Sequence, residues 1–362
     1  MCKKTTNMRC FRSVMGILSL FMLVAFPCHG GVILEDNFDG HADWNVNGAK
    51  DGKECVSLPS ELCSAGDYPN GYNFFRSMPY DGQSPAARIS TLPSGGDHTT
   101  GSGKAFIVKQ AGASSGSWTS DGMLGKFFGT GAAYPELYIR YWAKTQGSYQ
   151  TVIGGGTKIL RLGSWNGAGG AFSWDHPQTP AFFFDWARDS DGAGWKPSYR
   201  CSDGSSGYYC TGTNGYQATD NVQYWRNITG TIPTGRLPNQ SGGYADGTWH
   251  RYDFHIKYNS APGVADGIVD FKLDGVQMQG NLSSSGSYPA TNVIFRKSGS
   301  TKTGFNLIAI GGNTNNWYGS GSQWFAIDDL VVSTTPIPDN YIIGGGAAAA
   351  PASPKNVTGT KK

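Results

Sequence analysis

From Arg251 to Tyr258 polar and apolar residues alternate without a break. Arg251, Asp253, His255 and Lys257 fall on one side, and Tyr252, Phe254, Ile256 and Tyr258 on the other. A period of two belongs to a β-strand with one face in a core and the other turned to a groove or solvent. Short runs of this kind recur along the chain: Gly31–Phe38, Ala105–Gln110, Glu136–Lys144, Lys158–Leu162, Ala181–Ala187, His250–Asn259, Ile268–Leu273, Phe305–Ile310 and Trp324–Ser333. Asp266-Gly267 and Asp274-Gly275, dipeptides that hairpin turns favour, flank Ile268–Leu273. No segment carries a 3.6-residue stripe over three turns. The 53 glycines follow no Gly-x-y period, which excludes a collagen, and 11 Trp with 18 Tyr exclude a solvated, disordered chain. The pattern predicts an all-β protein, a β-sandwich or barrel with almost no helix, read as one sandwich domain spanning 31–338. The stretch 189–247, rich in Gly, Ser, Tyr and Asn, reads as long loops, and a flexible Gly/Ala/Pro-rich tail is expected over 339–362.

Residues 1–30 stand apart. Lys3, Lys4, Arg9 and Arg12 precede the uncharged apolar run Val14–Phe26, which is the layout of a secretory signal peptide. Cleavage near Gly30 is expected; an uncleaved anchor and a lipid on Cys28 are the alternatives. Without these residues, four of the 29 basic and none of the 26 acidic residues are lost, and the net charge becomes −1. Such a balance gives no reason to expect nucleic acid as a partner, and no membrane partner is expected after signal removal. The expected product is an exported monomer, secreted, periplasmic or at the cell surface. Cys55, Cys63, Cys201 and Cys210 remain, an even set in an oxidising compartment. Local pairs Cys55–Cys63 and Cys201–Cys210 would each close a short loop. A zinc site is the alternative, although neither pair has C-x-x-C spacing.

The block Asp246-Gly-Thr-Trp-His-Arg-Tyr-Asp-Phe-His-Ile-Lys-Tyr-Asn259, followed by Gly263-Val-Ala-Asp-Gly-Ile-Val-Asp-Phe-Lys-Leu-Asp-Gly275, resembles two adjacent strands of the concanavalin A-like lectin/glucanase superfamily. It is most similar to the jelly-roll polysaccharide lyases and lyase-like exported proteins. Ile33–Asp39, Glu136–Trp142 and Phe325–Ser333 are similar to first, central and last strands of that fold. The resemblance implies a two-sheet antiparallel jelly-roll sandwich, a polysaccharide partner and no organic cofactor. It also implies a structural calcium ion between the first and last strands, held by Glu35, Asp36 and Asp39 on one side and Asp328 or Asp329 on the other. The Glu-x-Asp-x-x-Glu strand of laminarinase-type glucanases is absent, which argues against a two-carboxylate hydrolase. The Arg-Ser-Glu, Gln-Ile-His and Tyr-x-Lys-Ala-Gly motifs of alginate lyases are absent too, so no one substrate carries over.

Elimination from a uronic acid requires a group that neutralises the carboxylate, a base for the adjacent C–H proton and an acid for the leaving oxygen. Arg140 and Lys257 are the candidate neutralisers, with His255 or a tyrosine handling the proton. Tyr138, Trp142, Lys144, Arg251 and Asp253 share the two strand faces as candidate sugar contacts. A solvated polar face with a structural histidine is the competing reading of the same residues. A second function is a non-catalytic carbohydrate-binding or adhesion module, using that face and the aromatics Trp165, Trp174, Trp186, Trp195, Tyr208, Tyr209, Tyr216, Tyr224, Trp225, Trp317 and Tyr318. Gly112–Gly116 has nucleophile-elbow spacing but lies in a Gly/Ser loop rather than between a strand and a helix. Asp189–Gly192 resembles part of a calcium loop, yet Ala187 and Ser198 hold the positions of its outer ligands.

Overall fold

A computed structural model describes residues 31–45, 53–56, 67–78, 86–93, 96–99, 101, 103–111, 118–147, 156–165, 180–188, 195–203, 223–224, 247–277, 281–282, 286–287, 290–296, 298–315 and 322–344. Strands are numbered in chain order. The first sheet holds β1 (Val32–Asp36), β2 (Trp44–Asn45), β5 (Ala87–Thr91), β6 (Lys104–Ala111), β8 (Glu136–Thr145), β13 (Trp249–Lys257), β14 (Gly267–Leu273), β15 (Val276–Gln277), β18 (Ala290–Val293) and β20 (Ser322–Ser333). The second holds β3 (Lys53–Val56), β4 (Phe74–Met78), β7 (Trp118–Phe127), β9 (Gly156–Gly163), β10 (Pro180–Arg188), β11 (Trp195–Asp203), β12 (Gln223–Tyr224) and β19 (Leu307–Asn315). A small ribbon joins β16 (Asn281–Leu282) to β17 (Gly286–Ser287). All strand pairings are antiparallel, and no α-helix occurs among the described residues. The expected all-β sandwich is the observed one.

Its core lies between the sheets. Leu137, Ile139 and Tyr141 of β8, Tyr252, Phe254 and Ile256 of β13, and Val269 and Phe271 of β14 face Leu160, Leu162, Phe182, Phe184, Ile308 and Ile310 of the second sheet. Phe254 sits at the aromatic centre, its ring 4.7 Å from Phe184 and 4.9 Å from Phe271. Trp186 packs into this core, whereas Trp165 joins Phe74, Met123, Phe127 and Phe183 in a smaller apolar cluster on the second sheet. Trp165 and Trp186 therefore belong to the half of the candidate aromatics expected to be ordinary packing residues.

The first and last strands do lie side by side, with Val32 opposite Ser333 and Asp36 opposite Leu330. A bulge between Asp328 and Val331 interrupts β20, where Asp329 takes φ 47°; the extra residue brings Leu330 and Val332 back into the core. Two boundaries differ from the sequence reading. Within 189–247, β11 and β12 extend the second sheet instead of leaving only loops. The last described residues, Thr334–Gly344, form a strap whose Asp339 and Tyr341 contact Arg251 and Glu35, so the ordered domain runs past 338.

Candidate functional site

Two polar constellations occupy the sheet faces that the core does not use. The one expected from sequence is assembled by the antiparallel register of β8 and β13: Lys257 lies opposite Glu136, His255 opposite Tyr138, Asp253 opposite Arg140, and Arg251 opposite Trp142. All of Arg140, His255, Lys257, Tyr138, Trp142, Lys144, Arg251 and Asp253 thus share one face. Glu136 organises one end. Its carboxylate accepts from the Tyr138 hydroxyl at 3.0 Å, pairs with His255 Nε2 at 2.7 Å and lies 3.3 Å from Lys257 Nζ. The Tyr138 and His255 rings stack at 4.3 Å. Burial alone would raise the Glu136 pKa, but hydrogen bonds from His255, Tyr138 and Lys257 outweigh it and hold the carboxyl below its ordinary value. Burial, with the Glu136 hydrogen bond and charge, pushes Tyr138 up to about 12, so its hydroxyl keeps its proton.

Arg140 is engaged differently from a waiting neutraliser. Its Nε donates to Asp253 at 2.5 Å, while Nη1 and Nη2 donate to the carbonyls of Pro338 and Ile337 at 2.6 and 3.3 Å. Residues 337 and 338 thus cover this guanidinium. Trp142 is stacked under His98 at 3.5 Å, and Lys144 Nζ lies 5.9 Å from the Trp249 ring.

The second constellation was missed. Its residues are scattered singly through apolar strands, and nothing in the sequence shows that the strands adjoin. On β9, β19, β7 and β4, four successive neighbours in the second sheet, a polar row crosses the face opposite the core. Lys158 Nζ donates to Asn313 Oδ1 at 2.6 Å, Asn313 lies opposite Asp121, and Asp121 pairs with Arg76 Nη1 at 2.6 Å. Arg161 lies beside the row, its guanidinium 5.8 Å from the Phe183 ring. Gly311 and Gly312 of β19 have φ 85° and 155°, and a side chain at Gly312 would meet Lys158 Cβ at 2.6 Å. All five polar side chains belong to residues exposed by 8% or less. The only sequence signal was a Lys and an Arg interrupting the apolar run Lys158–Leu162.

Each carboxylate of the calcium set expected from the resemblance is engaged by groups of the chain itself. Glu35 accepts from the Tyr341 hydroxyl; Asp36 accepts from the Phe38 amide and pairs with His41, both at 2.7 Å; Asp39 accepts from the Lys104 amide at 2.8 Å. Asp328 is fully buried and accepts the amides of His98 and Asp329, each at 2.8 Å. Among the described residues no three His, Cys, Asp or Glu side chains form a cluster fit for a metal. Of the cysteines, Cys55 and Cys201 lie on β3 and β11, while Cys63 and Cys210, the segments 112–116 and 189–192, and the aromatics Trp174, Tyr208, Tyr209, Tyr216, Trp225, Trp317 and Tyr318 lie outside the described residues, so the pairing and the loop aromatics stay expectations. No helix among the described residues is long and apolar enough to cross a membrane.

No protein-family model and no curated protein matches the chain. Solved structures similar to it include an endo-β-1,4-glucuronan lyase from the fungus Trichoderma reesei, 14% identical over 74% of this chain and 92% of that one, with TM-score 0.44. An alginate lyase from Chlorella virus is 10% identical over 68% and 88%, with TM-score 0.35. A mixed-linkage glucan GH16 protein from Bacteroides ovatus, in complex with a product, is 8% identical over 83% and 100%, with TM-score 0.39. These neighbours are jelly-roll, concanavalin A-like sandwiches.

Proposed function

We propose that the chain is an exported polysaccharide lyase that cleaves an acidic polysaccharide by β-elimination on the outer face of the second sheet. The observation that carries this reading is the buried row Arg76, Asp121, Asn313, Lys158 with Arg161 beside it. A sandwich is stabilised by the apolar face of each sheet, and the opposite face has no structural need of charge. Holding ions out of water costs several kcal/mol each unless partners offset it. Side chains kept in spite of that cost, in one line across the middle of a sheet, mark a site.

The row also has the parts that elimination needs. A guanidinium beside a uronate carboxylate stabilises the charge that builds there as the C5–H bond breaks, and Arg161 is of that kind. Arginine does not give up its proton, and Asp121 is held by Arg76, which leaves Lys158, acting from its neutral amine form, as the proton acceptor of the row. The C5 proton passes to the lysine amine, its bonding electrons form the C4=C5 double bond, and the C4–O bond breaks. The leaving oxygen takes a proton, which the new ammonium can return. Asn313 sets the position of Lys158 Nζ, and a dry surrounding keeps water from competing for the amine.

A second reading keeps the reaction on the first sheet, with His255 as base, Tyr138 as proton donor and Lys257 as the cation. Its support is the cleft of about 420 Å³ lined by Tyr138, Arg140, Asp253, His255, Asp270 and Lys272, together with a tyrosine that remains protonated.

One assay separates the readings. Polymers of glucuronate, mannuronate, guluronate and galacturonate are incubated with the protein, and the ultraviolet absorbance of unsaturated ends is followed. The row reading expects product from the wild type, at least a hundredfold less from Lys158→Met and Arg161→Met, and little change in His255→Ala. Loss in His255→Ala with Lys158→Met unaffected would move the site to the first sheet. Binding without product from any polymer would make the chain a carbohydrate-binding module.

A further inference from the structure

The strap is placed like a ligand. Two clefts, of about 420 and 330 Å³, flank it on the outer face of the first sheet, and Arg140 and Asp339 line both. Pro336, Ile337 and Pro338 wall the first, and Tyr341 and Ile342 wall the second. Beneath it, Arg140 and Arg251 hold the two oxygens of Asp253, at 2.5 and 2.8 Å, so two guanidinium groups share one carboxylate. The strap supplies what is missing. Asp339 Oδ1 accepts from Arg251 Nη2 at 2.8 Å and lies 3.7 Å from Arg140 Nη2, and the Ile337 and Pro338 carbonyls take the other Arg140 donors.

One carboxylate and two neutral oxygens on an extended segment are also what a uronic acid residue in a glycan chain presents. Aromatic rings stand on either side at the spacing of alternate residues on β8, Tyr138 in the first cleft and Trp142 in the second, and flat rings suit the C–H face of a pyranose. The charged group of the strap lies in solvent. The Asp339 side chain is 88% exposed, and exposed ion pairs contribute little. Neither proline has an amide proton to bind the sheet.

We infer that the trench under the strap, floored by Arg140, Arg251 and Asp253, is a binding site for an acidic polysaccharide chain, distinct from the row on the second sheet, and that residues 336–343 occupy it as an exchangeable internal ligand. The inference shares only its class of ligand with the proposed function. An acidic glycan displaces the strap, and Asp339 competes with its carboxylates.

The test uses the full chain carrying Lys158→Met and Arg161→Met, so that binding at the row is removed. Hydrogen exchange is followed with and without oligoglucuronate, and with a neutral glucan as control. The amide of Tyr341, bonded to the Pro338 carbonyl at 3.1 Å, and its neighbours in 339–343 should exchange at least threefold faster with the acidic oligosaccharide and at the same rate with the neutral one. In the same background, Asp339→Ala should tighten oligoglucuronate binding two- to fivefold, and adding Arg251→Gln should abolish that gain. Unchanged exchange in the strap, or a gain in affinity that survives Arg251→Gln, would overturn the inference. Neither outcome touches the lyase reading, which stands or falls on unsaturated product from the wild type.

Discussion

Asp328→Asn should make the protein more stable at pH 8 and less stable at pH 5. Asp328 is fully buried at the β20 bulge. Burial is the largest influence on it, followed by the charge of Asp329; the amides of His98 and Asp329 act in the opposite direction, and Asp97 adds a little more repulsion. Together they push the carboxyl from 3.8 up to about 8. At 1.36 kcal/mol per pKa unit, that displacement corresponds to at most about 5–6 kcal/mol. The folded state therefore holds a proton that the unfolded chain releases between about pH 4 and pH 8. Over that window unfolding becomes easier as pH rises, and above the folded pKa the contribution levels off. Asparagine has no proton to lose, so it removes this slope. It also gives up one acceptor for two amides, at a cost of about 1–3 kcal/mol. The slope contributes about 3.6 kcal/mol between pH 5 and pH 8, so the net expectation is a loss of about 1–3 kcal/mol at pH 5 that becomes a gain of about 1–3 kcal/mol at pH 8. Urea unfolding followed by tryptophan fluorescence at pH 5, 6.5 and 8 measures both. An equal loss at every pH would refute the reasoning, because it would mean that Asp328 is charged and stabilised in the fold. A calcium-dependent rise in wild-type stability at pH 8 that the variant lacks would refute it as well, by replacing the proton with a cation.

Phe254→Ala removes the ring at the centre of the aromatic cluster and should cost about 3–5 kcal/mol, read as a lowered urea midpoint with an unchanged slope. Gly122→Ala would place a methyl 2.5 Å from the Ala86 carbonyl oxygen; a loss of about 1–3 kcal/mol is expected. Gly131→Ala, where nothing lies within 4 Å, should leave the melting temperature within a degree or two and serves as the control. Peptide mapping without reductant should recover Cys55 joined to Cys63 and Cys201 joined to Cys210; free thiols at all four would remove that expectation.

How legible was the protein in its sequence? The alternation from Arg251 to Tyr258 placed β13, its buried face and its polar face correctly, because side-chain direction in a strand is a local property with a period of two. The same logic placed Tyr138, Arg140, Trp142 and Lys144 on one face of β8. It failed for Trp118–Phe127, where glycines and a buried Asp121 break the alternation of a strand that neighbours complete. Which strands adjoin was decided by the tertiary structure alone. Arg140 meets Asp253 across 113 residues of chain, and the row from Lys158 to Arg76 draws one side chain from each of four strands. In the sequence each of these is a lone polar residue in an apolar run, indistinguishable from a tolerated exception. Register turns them into a line, because an antiparallel ladder fixes the position of every residue opposite its partner. The strap belongs to the same class. Asp339 to Ile343 reads as the start of a tail, and only the docking of Pro338 and Asp339 onto two arginines of the first sheet makes it part of the domain. Local order follows from local sequence, whereas a site is a coincidence of distant residues that exists only once the sheets have closed.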